Sequence, residues 1–277
     1  MTDHSTVFIG GGNMATALIG GRVAAGEKAS AFAVVEPSPT QRNALSARYA
    51  GIHVVAETTR EVVAKTAVVV FAVKPQQMQA AAKALAPHVH DVGVVLTIAA
   101  GIRIVDLSRW LGGYRRIVRA MPNTPALVGA GISGVYAAPD VDAAARDAAA
   151  AILRAAGEIV WCDDESMLDG VTGVSGSGPA YVFYFLEALE AAARELGFSP
   201  TDARRLAYAT FAGAMALAQK SDADPATLRA QVTSKGGTTE RALATLEAWG
   251  VKASIIAAAK DAATRARELG EEFGRSE

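Results

Sequence analysis

Ser234-Lys235-Gly236-Gly237-Thr238-Thr239-Glu240 sets two glycines and three hydroxyl side chains directly ahead of a helical pattern. Backbone N–H groups at a helix N-terminus, opened up by glycines, make a site for a small anion. A second glycine loop, Gly10-Gly11-Gly12-Asn13-Met14-Ala15, follows the apolar run Val7-Phe8-Ile9 near the start of the chain. In the spacing Gly10-x-Gly12-x-x-Ala15, the first glycine makes a tight turn and the second lets the backbone approach a pyrophosphate. The small third residue lets helix and strand pack closely. Two anion sites in two different settings imply one region for a dinucleotide and another for an anionic substrate.

The elements around these loops differ. Apolar or β-rich runs occur at 6–10, 31–35, 67–72, 93–97 and 116–120, with a weaker one at 52–55. Near-continuous apolar runs are expected of parallel strands buried on both faces. Helical segments between them, the first at 14–25, predict a doubly wound sheet. Two later strands, 132–137 and 158–161, flank an alanine-rich helix that Asp140 is placed to cap. After Cys162-Asp163-Asp164-Glu165 the strand pattern stops. Pro179, Ser199-Pro200 and Asp224-Pro225 each start a helix, and two more follow at 239–249 and 252–269. The fold class is therefore α/β: a dinucleotide-binding, Rossmann-type domain over 1–163 and an all-helical domain over 164–277. The stretch 208–218 (YATFAGAMALA) is apolar on almost every face and must be buried. Either helices of a second chain interleave with it, or it is the centre of a monomeric bundle; a roughly 115-residue helical domain favours the dimer.

Composition narrows the partners. The 277 residues carry a net charge of −1, which gives no electrostatic reason to expect nucleic acid or an anionic membrane. Cys162 is the single cysteine, so no intramolecular disulfide forms and it reads as a small core residue rather than a nucleophile. Met1-Thr2-Asp3-His4 lacks the basic region of a signal peptide, and no run of about 18 apolar residues occurs. A soluble, cytoplasmic protein is expected.

Around the first loop, Glu36 ends the second strand where an acidic residue accepts hydrogen bonds from an adenine-ribose diol, which favours NAD. Ser38, Gln41 and Arg42 follow at once and offer an alternative hold on a 2′-phosphate; the two readings stay open. Ala72-Val73-Lys74-Pro75 and Ala99-Ala100-Gly101 end the fourth and fifth strands, where open sheets bind ligands.

Elimination then narrows the reaction. Carbonyl reduction needs a proton donor at the oxygen. His4, His53, His88 and His90 lie outside the motif loops, and no tyrosine has a lysine four residues on. Lys220, Lys235, Lys252 and Lys260 lack the Lys-x-x-x-Asn setting of hydroxyacid dehydrogenases, and metal-ligand spacings are missing. A C=N bond suits such a site, because a basic imine nitrogen arrives already protonated. The protein then has to orient two partners and hold a carboxylate.

Five motifs occur in order: Ile9-Gly-Gly-Gly-Asn-Met-Ala15, Ala72-Val-Lys-Pro75, Arg119-Ala-Met-Pro-Asn-Thr-Pro125, Gly173-Val-Ser-Gly-Ser-Gly-Pro-Ala-Tyr-Val-Phe183 and Ser234-Lys-Gly-Gly-Thr-Thr239. Together they resemble the pyrroline-5-carboxylate reductase family over essentially the whole chain. The resemblance implies a Rossmann domain followed by a helical dimerisation domain, with dimers assembling further. It also implies reduction of 1-pyrroline-5-carboxylate to L-proline by NADPH or NADH. Matched by position, the Thr239 hydroxyl bonds the ring nitrogen, and Ser234 with the backbone of Gly236, Gly237 and Thr238 holds the carboxylate. Met121, Pro122 and Asn123, with the loop Ser175-Gly176-Ser177-Gly178-Pro179, line the site. Ile9 to Met14, Glu36, Ser38, Arg42, Ala72 to Pro75 and Ala99 to Gly101 surround the cofactor. Lys235 stands where many relatives carry proline.

Overall fold

The computed structural model describes residues 4–275; Met1, Thr2 and Asp3, read above for a leader, lie outside the described residues. Eight strands form one sheet: β1 Thr6–Ile9, β2 Phe32–Val35, β3 His53–Val55, β4 Val68–Phe71, β5 Val94–Thr97, β6 Ile117–Met121, β7 Gly131–Ala137 and β8 Gly157–Trp161. Their order is β3-β2-β1-β4-β5-β6-β7-β8. All neighbours run parallel except β7, which is antiparallel to β6.

Alternation along the strands splits the core into two layers. Phe8, Phe32, Val34, Val68, Val70 and Leu96 face one side. Val7, Ile9, Ala33, Val35, Val69 and Phe71 face the other. Helix α1 (Asn13–Ala24) covers the first face with Leu18 and Ile19, and α4 (Met78–Leu85), which follows α2 (Pro39–Arg48) and α3 (Arg60–Val63), covers the second with Met78 and Leu85. Burial on both sides is why these strands are continuous apolar runs in the sequence.

Helices α5 (Ile104–Trp110), α6 (Ala143–Arg154) and α7 (Met167–Val171) complete the first half of the chain. The cap of α6 differs from the sequence expectation. Asp142, not Asp140, takes it: Asp142 Oδ1 accepts the Ala145 N–H at 2.8 Å, while Asp140 pairs with Arg115 at 3.0 Å. Asp142, immediately ahead of Ala143, has the extended backbone and the reach of a cap.

The remaining helices are α8 (Gly178–Glu195), α9 (Pro200–Gln219), α10 (Pro225–Gln231), α11 (Thr238–Ala248) and α12 (Val251–Arg275). Two compact units result. Residues up to Ser177 cluster with those from Lys260 onward, and Gly178–Ala259 forms the other unit. Within the first, the end of α12 returns to the sheet. Gly101, at φ +73°, lies so close that a side chain there would start 3.2 Å from Leu269 Cβ and the Phe273 ring. Arg109 also donates to the Gly274 carbonyl at 2.7 Å.

The helical unit is built from capped, proline-started helices, as the sequence predicts. Ser199 Oγ accepts the Asp202 N–H at 3.2 Å, and Asp224 Oδ1 accepts the Thr227 N–H at 2.7 Å. Its interior is small. Leu186, Ala203 and Ala207 are buried, while Phe183, Tyr208, Met215 and Leu217 are all more than half exposed. The apolar stretch of α9 is therefore not the centre of a single-chain bundle. No single helix among the described residues is long and apolar enough to cross a membrane.

Candidate active site

The sheet changes direction between β1 and β4, and ligands of open α/β sheets bind in the crevice outside the strand ends at such a point. Both strands end in site segments. Gly10 leaves β1 at φ +98°, with its N–H on the Val35 carbonyl at 2.8 Å. A side chain at Gly10 would begin 2.8 Å from the Ala72 carbonyl oxygen, so only glycine fits. Gly12 is the N-cap of α1 and supplies no side-chain cap. A Cβ on Gly12 meets nothing within 4 Å, which leaves the first-turn N–H groups of α1 open to an anion. Ala15 is fully buried under the turn.

A cavity of about 910 Å³ opens beside this loop, lined by residues that include Ile9, Gly10, Gly11, Gly12, Glu36, Ser38, Glu57, Ala72, Val73 and Lys74. The size, the uncapped helix and the glycine pair suit a dinucleotide. Glu36 is held from two sides. Its carboxylate accepts the Gly11 N–H at 2.9 Å and the Ser38 N–H at 2.9 Å. Arg42 turns inward and donates to the Glu36 and Pro37 carbonyls at 2.9 and 2.6 Å. The Ser38 hydroxyl accepts the Gln41 N–H and caps α2, and the Gln41 amide donates to the Gly11 carbonyl. Ala99 and Gly101 are buried and Ala100 half-buried, Gly101 beneath α12.

The Met121-Pro122-Asn123 turn at the end of β6 meets the serine-glycine segment. Asn123 is buried and its amide is engaged on both sides: Nδ2 donates to the Ser175 carbonyl at 3.2 Å, and Oδ1 accepts the Ile132 N–H at 3.0 Å. Met121 Cε sits 2.7 Å from where a side chain of Gly176 would begin. The segment read as a loop at 175–179 is helical instead. Thr172–Gly176 forms a π-helical turn that runs through Ser177 into α8. Thr172 and Ser175 hydroxyls donate back to the Leu168 and Val171 carbonyls, which widens the turn. Pro179 has no N–H to offer the carbonyl four residues back, and that carbonyl, of Ser175, is the one Asn123 takes.

Behind this turn lies an ion cluster with no sequence signature. Arg119 on β6 is buried, with Nη1 2.8 Å from Glu165 Oε1 and Nη2 3.9 Å from Asp169 Oδ1. Glu165 Oε1 also accepts the Ile104 N–H at 2.8 Å. Burial pushes the Asp169 carboxyl above the ordinary aspartate range, against the pull of Arg119. Arg119 lies 46 positions before Glu165, so only the fold brings it to its carboxylates.

In the helical unit, Gly237 is the N-cap of α11 without a side-chain cap. Gly236 adopts φ +71°, and the Gly237 N–H donates to the Ser234 carbonyl at 3.0 Å. Ser234 Oγ packs against Gly237 so closely that a Cβ there would fall 2.4 Å away. Glu240 reaches back to accept the Gly236 N–H at 2.6 Å. Ser234, Lys235 and Thr238 are exposed, Thr239 half-buried. The loop is thus an anion cradle, with hydroxyls at its rim, already holding one carboxylate.

Other candidates fall elsewhere. The His4 and His53 rings stack at 4.9 Å near the amino ends of β1 and β3, away from the glycine loop. Burial, helped by His4, holds His53 below the ordinary imidazole value. Cys162 is buried and its thiol is pushed up by burial.

Comparison with known proteins covers the whole chain. Residues 165–269 match the family described as pyrroline-5-carboxylate reductase dimerisation, and residues 5–101 match the NADP oxidoreductase, coenzyme F420-dependent family. A pyrroline-5-carboxylate reductase of Pseudomonas aeruginosa is 44% identical over 275 residues, covering 99% of this chain and 100% of its own. The Escherichia coli enzyme of that name is 37% identical over 272 residues, covering 97% and 98%. A pyrroline-5-carboxylate reductase structure from Coxiella burnetii matches with a TM-score of 0.90 at 36% identity, covering 96% and 98%. A pyrroline carboxylate reductase from Plasmodium falciparum, with NADP bound, matches at 0.84 and 27% identity, covering 98% and 99%.

Proposed function

This chain belongs to the pyrroline-5-carboxylate reductase family, and on that premise we propose how its residues divide the work. The reaction is reduction of 1-pyrroline-5-carboxylate to proline with NAD(P)H, in proline biosynthesis. The reduced nicotinamide, when bound, supplies a hydride to the ring C=N.

The observation that carries the site assignment is the N-terminus of α11, whose cap residue is a glycine that supplies no side chain of its own. The substrate carboxylate binds there, on the backbone around Gly237 and Thr238, with the Ser234 hydroxyl beside it. An exposed helix end alone contributes about 0.3–1 kcal/mol toward an anion; several N–H groups and a hydroxyl acting together make the hold firm. Thr239, one turn position further in, hydrogen-bonds the ring nitrogen and keeps the proton on it while the carbon accepts hydride. Met121, Pro122 and Asn123, with residues 175–179, wall the ring. The support is that Asn123 and the π-turn are locked together through Ser175. Residues 9–14, Glu36, Ser38, Arg42, 72–75 and 99–101 serve the cofactor side.

We assign 1–163 to dinucleotide binding and 164–277 to substrate binding and dimerisation, as a homodimer whose copies assemble further, working in the cytoplasm. The exposed apolar face of α9 supports the dimer. Oxidation of NADH and of NADPH, each with 1-pyrroline-5-carboxylate, tests the reaction. Substrate-dependent oxidation is expected with the five-membered ring. Turnover of only the six-membered analogue, or none, would overturn the assignment.

A further inference from the structure

We propose that this chain selects NADH over NADPH, with Glu36 receiving the adenine-ribose diol and refusing a 2′-phosphate. The inference rests on the cofactor cavity assigned above and goes beyond it, since that assignment is indifferent to the two dinucleotides.

Four observations converge at the adenosine end of the cavity. First, the Glu36 carboxylate is not free to swing aside. It is pinned by the Gly11 and Ser38 N–H groups, both at 2.9 Å, so its charge stays at the rim of the cavity. These two N–H groups would otherwise be available to a phosphate; here an internal anion already occupies them.

Second, the side chains that suit a 2′-phosphate by type each hold a bond within the turn. Arg42 spends its Nη1 on the Glu36 and Pro37 carbonyls, Ser38 caps α2 and the Gln41 amide is on the Gly11 carbonyl. They brace the turn that presents Glu36. Third, the same cavity wall carries a second carboxylate, Glu57, from the segment after β3. Fourth, the cation lining this cavity is Lys74, which follows β4 rather than β2.

A ribose diol is neutral and offers two donors to a fixed carboxylate. A 2′-phosphate brings nearly two negative charges to the same spot, beside two carboxylates and an arginine whose Nη1 already serves two carbonyls. Specificity of this kind comes from repulsion of the wrong ligand as much as attraction of the right one.

The test is direct binding to the full-length protein, free of substrate, followed by nicotinamide fluorescence with NADH and NADPH titrated separately. NADH is expected to bind at least tenfold more tightly. Glu36→Gln keeps the shape and one of the two N–H bonds but removes the charge, and should shrink the gap chiefly by tightening NADPH. Arg42→Ala should weaken both dinucleotides alike. Displacement by 5′-AMP and by adenosine 2′,5′-bisphosphate locates the effect, with 5′-AMP the better competitor in the unaltered protein. NADPH binding as tightly as NADH, an unchanged ratio in Glu36→Gln, or selective loss of NADPH in Arg42→Ala would each overturn the proposal. Failure of both dinucleotides to bind would overturn the cavity assignment itself, and the proposal with it.

Discussion

Arg119 Nη1 lies 2.8 Å from Glu165 Oε1, and the same carboxylate oxygen takes the Ile104 N–H that opens α5. One acidic side chain thus neutralises a buried guanidinium and ties two elements together. Glu165→Ala would leave Arg119 buried with only the longer contact to Asp169, at a cost of about 3 kcal/mol. Urea unfolding measures it. A loss below about 1 kcal/mol would show that Asp169 or solvent takes over the charge.

Asp169 makes a prediction of opposite sign. Its carboxyl titrates above the ordinary aspartate range because burial disfavours the charge. The folded state therefore binds this proton more tightly than the unfolded chain, and its contribution to stability falls as pH rises from about 4 through the raised value. Asp169→Asn should melt at a temperature equal to or higher than the parent at pH 7, with the difference vanishing near pH 3. A variant that is less stable only at neutral pH would contradict the sign.

The two outer glycines of the first loop should fail differently. A side chain at Gly12 enters open space, so Gly12→Val should fold normally and lose dinucleotide binding, by at least a hundredfold in Kd. At Gly10 a side chain meets the Ala72 carbonyl and a positive φ, so Gly10→Ala should also destabilise the fold, by roughly 1–3 kcal/mol. Thermal melts and dinucleotide titration separate the two.

Thr239→Ala removes a hydroxyl assigned to the reacting nitrogen. Turnover should fall roughly tenfold to a hundredfold, as for one charge-assisted hydrogen bond, while the dinucleotide Kd stays put. Unchanged kcat would remove Thr239 from the mechanism.

The exposed apolar residues of α8 and α9 require a partner surface. The melting temperature should rise with protein concentration, and dilution should give unfolding coupled to dissociation. A stable folded monomer, seen by sedimentation, would sink the dimer.

Much of this architecture is legible in the chain, for physical reasons that differ by element. Strands β1, β2, β4 and β5 announce themselves because two-sided burial leaves room for few polar residues. The first loop is legible because a φ of +98° and a carbonyl 2.8 Å away admit glycine alone. The α6 cap lies two residues beyond the sequence expectation, since Asp140 and Asp142 both precede an alanine run and only backbone geometry chooses between them. The π-turn at Thr172–Gly176 has no sequence period of its own; it arises from two hydroxyls bonding backward. The Arg119 cluster depends on contacts between remote segments, which local pattern does not carry. The roles of Ser38 and Arg42 were ambiguous for a related reason, because residue type says nothing about which way a guanidinium turns.

The return of α12 to Gly101 has a consequence for biogenesis. The residues that close over Gly101 belong to the same compact unit as the first strand, yet all of Gly178–Ala259 is translated before them. At ~5–20 residues per second the nascent sheet waits several seconds for its last piece. During that interval Gly101 and the apolar layer that Phe273 packs against stay uncovered on the ribosome.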